Sequence, residues 1–496
     1  MEKNEQNHRS ILNRIATRAM LERGLWPDFS PAAKDELTGL KIPGPSDFEQ
    51  IKKSGTVREL RELLWVSIDN DDSLDLDQVT AATELPEERI KVFVSIADVD
   101  SMVGIGSAID NHARHNTTSV YTAAKIFSML PEMLSTNLTS LNSNEDRLSL
   151  VVEMVIDKDG ALGDSNVYRA IVCNHAKLAY SSVAAWLEKN AAVPEAVARV
   201  EGLAENLRLQ DTAAQRIKEF RHMHGALSLE TIEAKPIFSG DQMMALDIEE
   251  KNRAKEIVED FMIAANGVTA RFLSSKNYPS IRRVVSVPKR WDRIMEIAAR
   301  YQFILPLIPS SKALEEFLIA QKKKDPVKFP DLSLSIIKLL GAGEYKADLP
   351  EGDLPGHFGL AVKDYGHSTA PNRRFTDLVT QRLLKAAVEG QKMPYTFNEL
   401  QEIATHCTLS EDAANKVERQ VEKSAAALLL ASRIGEHFES IVTGASEKGT
   451  WVRLLSIPVE GKLVRGEATI DIGDRIPVKL VSVDIERGYI DFEKGV

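Results

Sequence analysis

Five aspartates fall among the nine residues from position 69 to position 77, namely Asp69, Asp71, Asp72, Asp75 and Asp77, and Gln78 follows directly. Carboxylates crowded this closely repel one another unless a cation sits among them, and for all-oxygen ligands that cation is usually Mg2+, Mn2+ or Ca2+. The chain enters this run from the alternating segment 63–68, a pattern that predicts a strand delivering carboxylates into a loop. A solvated acidic loop is the plain alternative. An EF-hand fails on spacing: counting from Asp69, the sixth residue is Leu74 where glycine is needed, and the twelfth is Thr80 where glutamate is needed.

A second chemically suggestive cluster lies far downstream, at Pro371, Asn372, Arg373 and Arg374. Proline before two arginines, opening a helix expected to run to about position 388, would set guanidinium groups beside free backbone N–H donors. That arrangement suits phosphate oxygens. Pairing of the arginines with Asp364 or Asp377 is the alternative.

Several elements are expected to position these clusters. A strand-like run, Ile90-Lys91-Val92-Phe93-Val94-Ser95-Ile96-Ala97-Asp98-Val99, follows the acidic loop, and then come Thr118-Ser119-Val120-Tyr121 and Met129-Leu130-Pro131-Glu132-Met133-Leu134-Ser135. A strand and a turn are expected over 146–160, a helical segment over 182–187, an amphipathic helix over 255–266, and helices over about 290–350. In this order the segments resemble the catalytic (RNB) domain of the ribonuclease II family of 3′-to-5′ exoribonucleases.

The resemblance implies an α+β multidomain chain. Its RNB catalytic domain, a mixed sheet core with surrounding helices, would occupy 57–435. The tail, 436–496, carries five short strand-like runs separated by glycine and acidic turns, which suit an S1-type OB barrel, a single-strand-binding module. Ahead of the catalytic domain, residues 1–56 read as a short helical module. Ile11, Leu12, Ile15, Ala16, Ala19 and Met20 share one helical face, and Ser30-Pro31 caps a second short helix. The pair is either a helix-turn-helix or a helical clasp on the core.

Composition bounds the function. The 496 residues exceed one ordinary domain, and 43% hydrophobic with 27% charged residues is globular protein. The longest apolar run, 425–431, is too short to span a bilayer, and the first ten residues show no signal-peptide pattern, so a cytoplasmic protein with no membrane partner is expected. Cys173 and Cys407 are expected to be buried free thiols. A net charge of −11 argues mildly against a polyanionic partner, yet residues 271–300 hold eight Lys and Arg against two acids, among them Arg282, Arg283, Lys289 and Arg290. That contrast suggests a basic channel for a threaded single strand, or a basic surface face.

Carried over by resemblance, Asp69, Asp75 and Asp77 would bind metal, Mg2+ with Mn2+ as the other candidate, and Asp75, Asp77 and Arg373 would carry the catalysis. Arg373 would contact the scissile phosphate, with Arg374 beside it on the RNA backbone. Tyr121 would stack on the terminal 3′ base, Tyr180 and Glu259 would hold RNA near the narrow part of the channel, and Glu418 would lie near the terminal nucleotide. Three positions depart from the family pattern. The usual fourth aspartate is Gln78, a histidine is replaced by Ser95, and the aromatic partner for the last base is Leu229. The expected function is hydrolysis of single-stranded RNA to nucleoside 5′-monophosphates and a short end product, with no obligate protein partner. The alternatives are an RNA-binding pseudoenzyme that cleaves weakly because of Gln78, and a DNA-binding regulator using residues 11–40.

Overall fold

The computed structural model describes the chain except for residues 1–6, 54, 232, 250, 447–448, 467–469, 471–472 and 496, so the first six residues of the polar start lie outside the described residues. Its centre is a mixed sheet of seven strands in the order Val57–Glu59, Leu162–Cys173, Asp146–Ile156, Ile90–Ala97, Gln78–Glu84, Val66–Asp69 and Ala176–Ala179. The outermost pair at each edge runs parallel and the inner pairs run antiparallel. Ile90–Ala97 sits in the middle, and almost every side chain in it is buried, which explains its nearly unbroken apolar sequence.

Helices Leu203–Met223, Arg253–Ser275 and Phe375–Glu389 join the sheet in one apolar core. Ile217, Phe261, Val268, Leu378 and Leu383 all fall below 3% exposure, and each such side chain contributes at most about 1.5–3 kcal/mol by leaving water. A buried ionic lattice fixes the last of these helices. Lys385 reaches Asp98 and Asp100 at 2.8 Å each, and Arg382 reaches Asp100 at 2.9 Å and Asp110 at 2.8 Å. Removing one member would strand its partner's charge in the interior, so the helix is held in one register.

The long helix Phe397–Leu430 opens on a full capping box, Thr396 with Glu399, and connects the core to the tail. Its C-terminal residues Ala426, Ala427 and Leu430 enter the interior of a closed five-stranded barrel, His437–Ser446, Gly449–Leu454, Glu460–Arg465, Tyr489–Lys494 and Arg475–Asp484. These are the five strands expected in the tail, and the closed barrel fits an OB fold.

Of the two arrangements open to the N-terminal helices, the clasp is formed. His8–Glu22 buries Leu12, Ile15, Ala16, Ala19 and Met20 against Val417, Val421 and Ala425 of the long helix. Arg18 ties it to Glu486 in the barrel at 2.8 Å. Pro31–Gly39 follows with Ser30 as its cap, and a third helix, Pro45–Lys53, was not signalled by periodicity.

Two expectations are corrected. The region 290–350 is not helical to its end: Glu344–Asp348 is a strand, antiparallel to Ser280–Val284. The basic stretch 271–300 does not present all its charges to a channel. Arg282 is 4% exposed and lies 3.5 Å from Asp348, while Arg283 pairs with Glu411 at 2.5 Å and packs on the Tyr345 ring. Both guanidiniums are committed inside the fold, because acids supplied by distant segments neutralise them. Lys289 and Arg290 are exposed.

Candidate active site

The acidic residues occupy the connection between Val66–Asp69 and Gln78–Glu84, as the alternating approach to them predicts. This loop is tightly anchored. Leu76 is buried, its amide donates to the Ser140 hydroxyl at 3.0 Å, its carbonyl accepts from Leu141 at 3.0 Å, and Ser140 donates to the Leu74 carbonyl at 2.8 Å. Because the buried Leu76 fixes the local alternation, its neighbours Asp75 and Asp77 are held in set positions. Ser73 sits between two acids, its one hydroxyl proton within reach of Asp69 at 3.0 Å and of Asp75 at 3.4 Å.

Asp77 is 3% exposed. One of its carboxylate oxygens accepts from the Asn372 amide at 3.0 Å, and the other lies 3.6 Å from Nε of Arg373. Burial, only partly offset by Arg373 and that amide, pushes its pKa up to about 7. Asp75 is raised as well, first by burial and then by its neighbour Asp69. Asp75 and Asp77 therefore share the single guanidinium of Arg373 in a poorly solvated place.

The arginine cluster is organised by its own neighbours. Ala370 and the side chains of Thr376 and Arg374 all bond to Asp377, which is fully buried. Arg374 holds Asp377 through two bonds of 2.8 Å, so its guanidinium supports the loop and the expected role on an RNA backbone is not what this geometry serves. Nor are the backbone donors at the start of Phe375–Glu389 free. Phe375 N–H bonds the Thr117 carbonyl at 2.8 Å, and Asp377 N–H bonds the Arg374 carbonyl. Arg373 is the exposed member of the pair, with 45% of its side chain open to solvent.

Residues 118–121 run antiparallel to this loop. Thr118 bridges Arg374, and Ser119 N–H bonds the Arg373 carbonyl at 2.9 Å. The pairing sets the Tyr121 ring beside Arg373, where burial, with Asp75 and Asp77 adding to it and Arg373 opposing, lifts the phenol to about 12. Tyr121 is 42% exposed, and its backbone N–H donates to Glu418 of the long helix at 2.7 Å. Asp69, Asp75, Asp77, Arg373, Tyr121 and Glu418 thus come from four separate parts of the chain.

The other candidates sit on other elements. Tyr180 opens the helix Tyr180–Leu187, one residue after Ala179, the strand partner of Asp69. Glu259 is exposed on Arg253–Ser275. Leu229 packs against the helical cluster of Trp291, Phe317 and Phe329, whereas Val120, the neighbour of Tyr121, belongs to another cluster. The buried Ser95 hydroxyl has no hydrogen-bond partner among the described residues.

Two groups were missed. Asn372 is 1% exposed, and its side-chain oxygen accepts from Thr139 at 2.6 Å. Thr139 carries no sequence signal, but an asparagine wedged between proline and two arginines was a legible one.

Gln78 starts the strand after Asp77, and its amide oxygen is buried without a partner among the described residues. An orphan acceptor beside under-neutralised carboxylates fits a hard cation. Among the described residues no three carboxylate, imidazole or thiol groups converge on one point, so such an ion would take few protein oxygens and complete its shell elsewhere. Mg2+ commonly binds in that manner.

Residues 57–390 match the RNB domain, and residues 436–495 match the RNase II-type exonuclease C-terminal S1 domain. The chain is 29% identical to Ribonuclease R of Vibrio parahaemolyticus, over 94% of this chain and 58% of that protein. It is 30% identical to Ribonuclease R of Aquifex aeolicus, over 91% of this chain and 66% of the other. It thus spans about three fifths to two thirds of the length of these relatives. Its fold is similar to that of Mycoplasma genitalium RNase R, solved in complex with ribose methylated single-stranded RNA. That likeness has a TM-score of 0.87 at 22% identity, and covers 98% of this chain and 78% of that one.

The raised pKa of Asp77 has a consequence for stability. A carboxyl that holds its proton more tightly when folded makes the folded state less stable as pH rises from the unfolded value near 4 through about 7. In chelator, Asp77→Asn should therefore melt at a higher temperature than wild type at pH 8, with the difference shrinking towards pH 4. Thermal unfolding across that range is the check, and a variant less stable than wild type at pH 8 would contradict the burial argument.

Proposed function

The chain belongs to the RNB-domain family, and from that membership we propose that it is a hydrolytic 3′-to-5′ exoribonuclease acting on single-stranded RNA. The observation that carries this reading is the meeting of the buried Asp77 with Arg373 and the half-exposed Tyr121 ring in one place. Carboxylates supply metal ligands, a guanidinium neutralises phosphate, and an aromatic face accepts a terminal base.

Asp69, Asp75 and Asp77, with the amide oxygen of Gln78, are the groups that would hold Mg2+ or Mn2+. A bound divalent ion supplies an acidified water and Lewis-acid stabilisation of the phosphoryl oxygens. The chain's own residues supply the rest. Arg373, held by Asp77, donates to a non-bridging oxygen of the scissile phosphate and stabilises the charge that grows there. Tyr121, whose backbone is fixed by Glu418, stacks on the 3′-terminal base and sets which phosphodiester is presented. Water adds to phosphorus, the bond to the 3′ oxygen of the preceding nucleotide breaks, that oxygen takes up a proton, and a nucleoside 5′-monophosphate leaves. The C-terminal barrel is suited to guiding the strand.

A second reading, an RNA-binding protein that cleaves weakly, is favoured by one observation, the unpartnered Gln78 oxygen. A neutral amide offers one oxygen but no charge to a second ion.

Oligonucleotides labelled at either end separate the two readings. The first expects single-stranded RNA to shorten from its 3′ end in Mg2+ or Mn2+ to a short product, with DNA of the same sequence bound but cut poorly. Endonucleolytic fragments, or equal cleavage of DNA, would contradict it, and binding without cleavage in either metal would favour the second reading.

Gln78→Asp gives a sharper test of the metal assignment. The added carboxylate should lower the Mg2+ concentration at half-maximal rate severalfold, and should raise the melting temperature gained on adding Mg2+. Unchanged metal dependence in both measurements would remove position 78 from the metal site and turn attention to Asp71 or Asp72.

A further inference from the structure

Three consecutive buried residues, Thr139, Ser140 and Leu141, hold both halves of the candidate site at once. On the acidic side, the Ser140 hydroxyl accepts the Leu76 N–H at 3.0 Å and donates to the Leu74 carbonyl at 2.8 Å, so it brackets Asp75 along the chain. The Leu141 N–H adds a bond to the Leu76 carbonyl at 3.0 Å, directly before Asp77. On the arginine side, the Thr139 hydroxyl lies 2.6 Å from the side-chain oxygen of Asn372, nearer than the Leu134 carbonyl at 2.9 Å. Asn372 in turn gives its backbone N–H to Asp77 and precedes Arg373.

The segment is itself fixed to the sheet. It leaves a π-helical turn, Leu134–Leu138, which the Thr139 N–H closes onto the Leu134 carbonyl at 3.0 Å. Such wide turns are rare and recur at functional sites. The guanidinium of Arg147, 5% exposed on the strand Asp146–Ile156, donates to the Asn137 carbonyl at 3.0 Å and locks the turn in place. This hold works against repulsion. Asp69 repels Asp75 and Asp75 repels Asp77, so without a cation the acidic loop is pushed outward. The bonds from Ser140 and Leu141 resist that push through the loop's backbone and occupy none of its carboxylate oxygens.

We propose that Thr139 and Ser140 are positioning residues for the cleavage: Ser140 holds Asp75 and Asp77 as a metal-binding pair, Thr139 holds Arg373 beside Asp77 through Asn372, and the peptide link between the two sets the carboxylate-to-guanidinium spacing. This inference rests on the exonuclease reading above. Groups that act together on one phosphate must keep their places within about 0.5 Å, and a shift of about 1 Å can cost about 100-fold in rate. Adjacent holding residues meet that demand, because a shift of either loop is passed to the other.

Thr139→Val and Ser140→Ala, assayed on labelled single-stranded RNA well below their melting temperatures, test it. Each is expected to turn over about tenfold more slowly at saturating RNA and metal, with RNA affinity in chelator within about twofold of wild type. Thr139→Ser, which keeps the hydroxyl, should restore the rate. Ser140→Ala should also need severalfold more Mg2+ for half-maximal rate and gain less melting temperature when Mg2+ is added without RNA, while Thr139→Val should keep the wild-type gain. Ser140→Cys, which retains a weaker hydrogen-bonding group of similar size, serves the same measurements if the alanine variant does not fold. Turnover within about twofold of wild type in either variant, with only the melting temperature lowered, would overturn the proposal, as would an RNA affinity that falls in step with the rate. The melting readout needs no cleavage. A wild type that is stabilised by Mg2+ but cuts no RNA would sink the exonuclease reading, and an unchanged Mg2+ gain in Ser140→Ala would then still overturn its positioning role; a wild type that cleaves beside unaffected variants would sink this inference alone.

Discussion

The backbone N–H of Asn372 donates to a carboxylate oxygen of Asp77 across 295 residues of chain, and the arrangement of the candidate site follows from that one bond. It forms only where the sheet ends Asp77 beneath the arginine loop and the helix Phe375–Glu389 holds that loop still. The ionic lattice of Asp98, Asp100 and Asp110 with Arg382 and Lys385 does the latter. A hydrogen bond to a charged acceptor contributes roughly 1.5–3 kcal/mol, while burying a carboxylate costs several. Asp77 is therefore comfortable only when it is protonated or when a cation joins Arg373 beside it. The same physical tension that raises its pKa is what a bound cation would relieve.

The two adjacent arginines divide the work. Arg374 is locked to Asp377 and makes the loop rigid, whereas Arg373 projects from that rigid base towards Asp77 and Tyr121. Residues 118–121 copy the same loop as a strand partner, so the aromatic ring and the guanidinium are set by one backbone. Glu418 adds the long helix to this arrangement, and through it the barrel is connected mechanically to the site.

Much of this was legible in the sequence, and the limits have physical causes. Periodicity found the N-terminal helix face, the central strand, the helix after the arginines and all five barrel strands, because each buries one side or is buried throughout. Asp69, Asp75, Asp77, Arg373, Tyr121 and Glu418 were named through the resemblance to the ribonuclease II family, on the acidic and proline-arginine stretches that stood out in the sequence. The fate of Arg374, Arg282 and Arg283 was not legible, because it depends on which acids distant segments bring to them. For the same reason Thr139 escaped notice, and Asn372 was named without a role: their part in the site exists only after the loops meet. Leu229, assigned by position in a pattern, packs in a separate helical cluster.

The central claim is that Arg373, positioned by Asp77, acts on charge developing at a phosphate. Single-turnover cleavage of a labelled RNA by Arg373→Ala, measured alongside RNA affinity, tests it most directly. The account predicts turnover at saturating RNA at least about 100-fold below wild type, the cost of losing one such donor, with affinity reduced much less. Wild-type turnover at saturation with only affinity lowered would contradict it, and would make Arg373 an anchor for the strand.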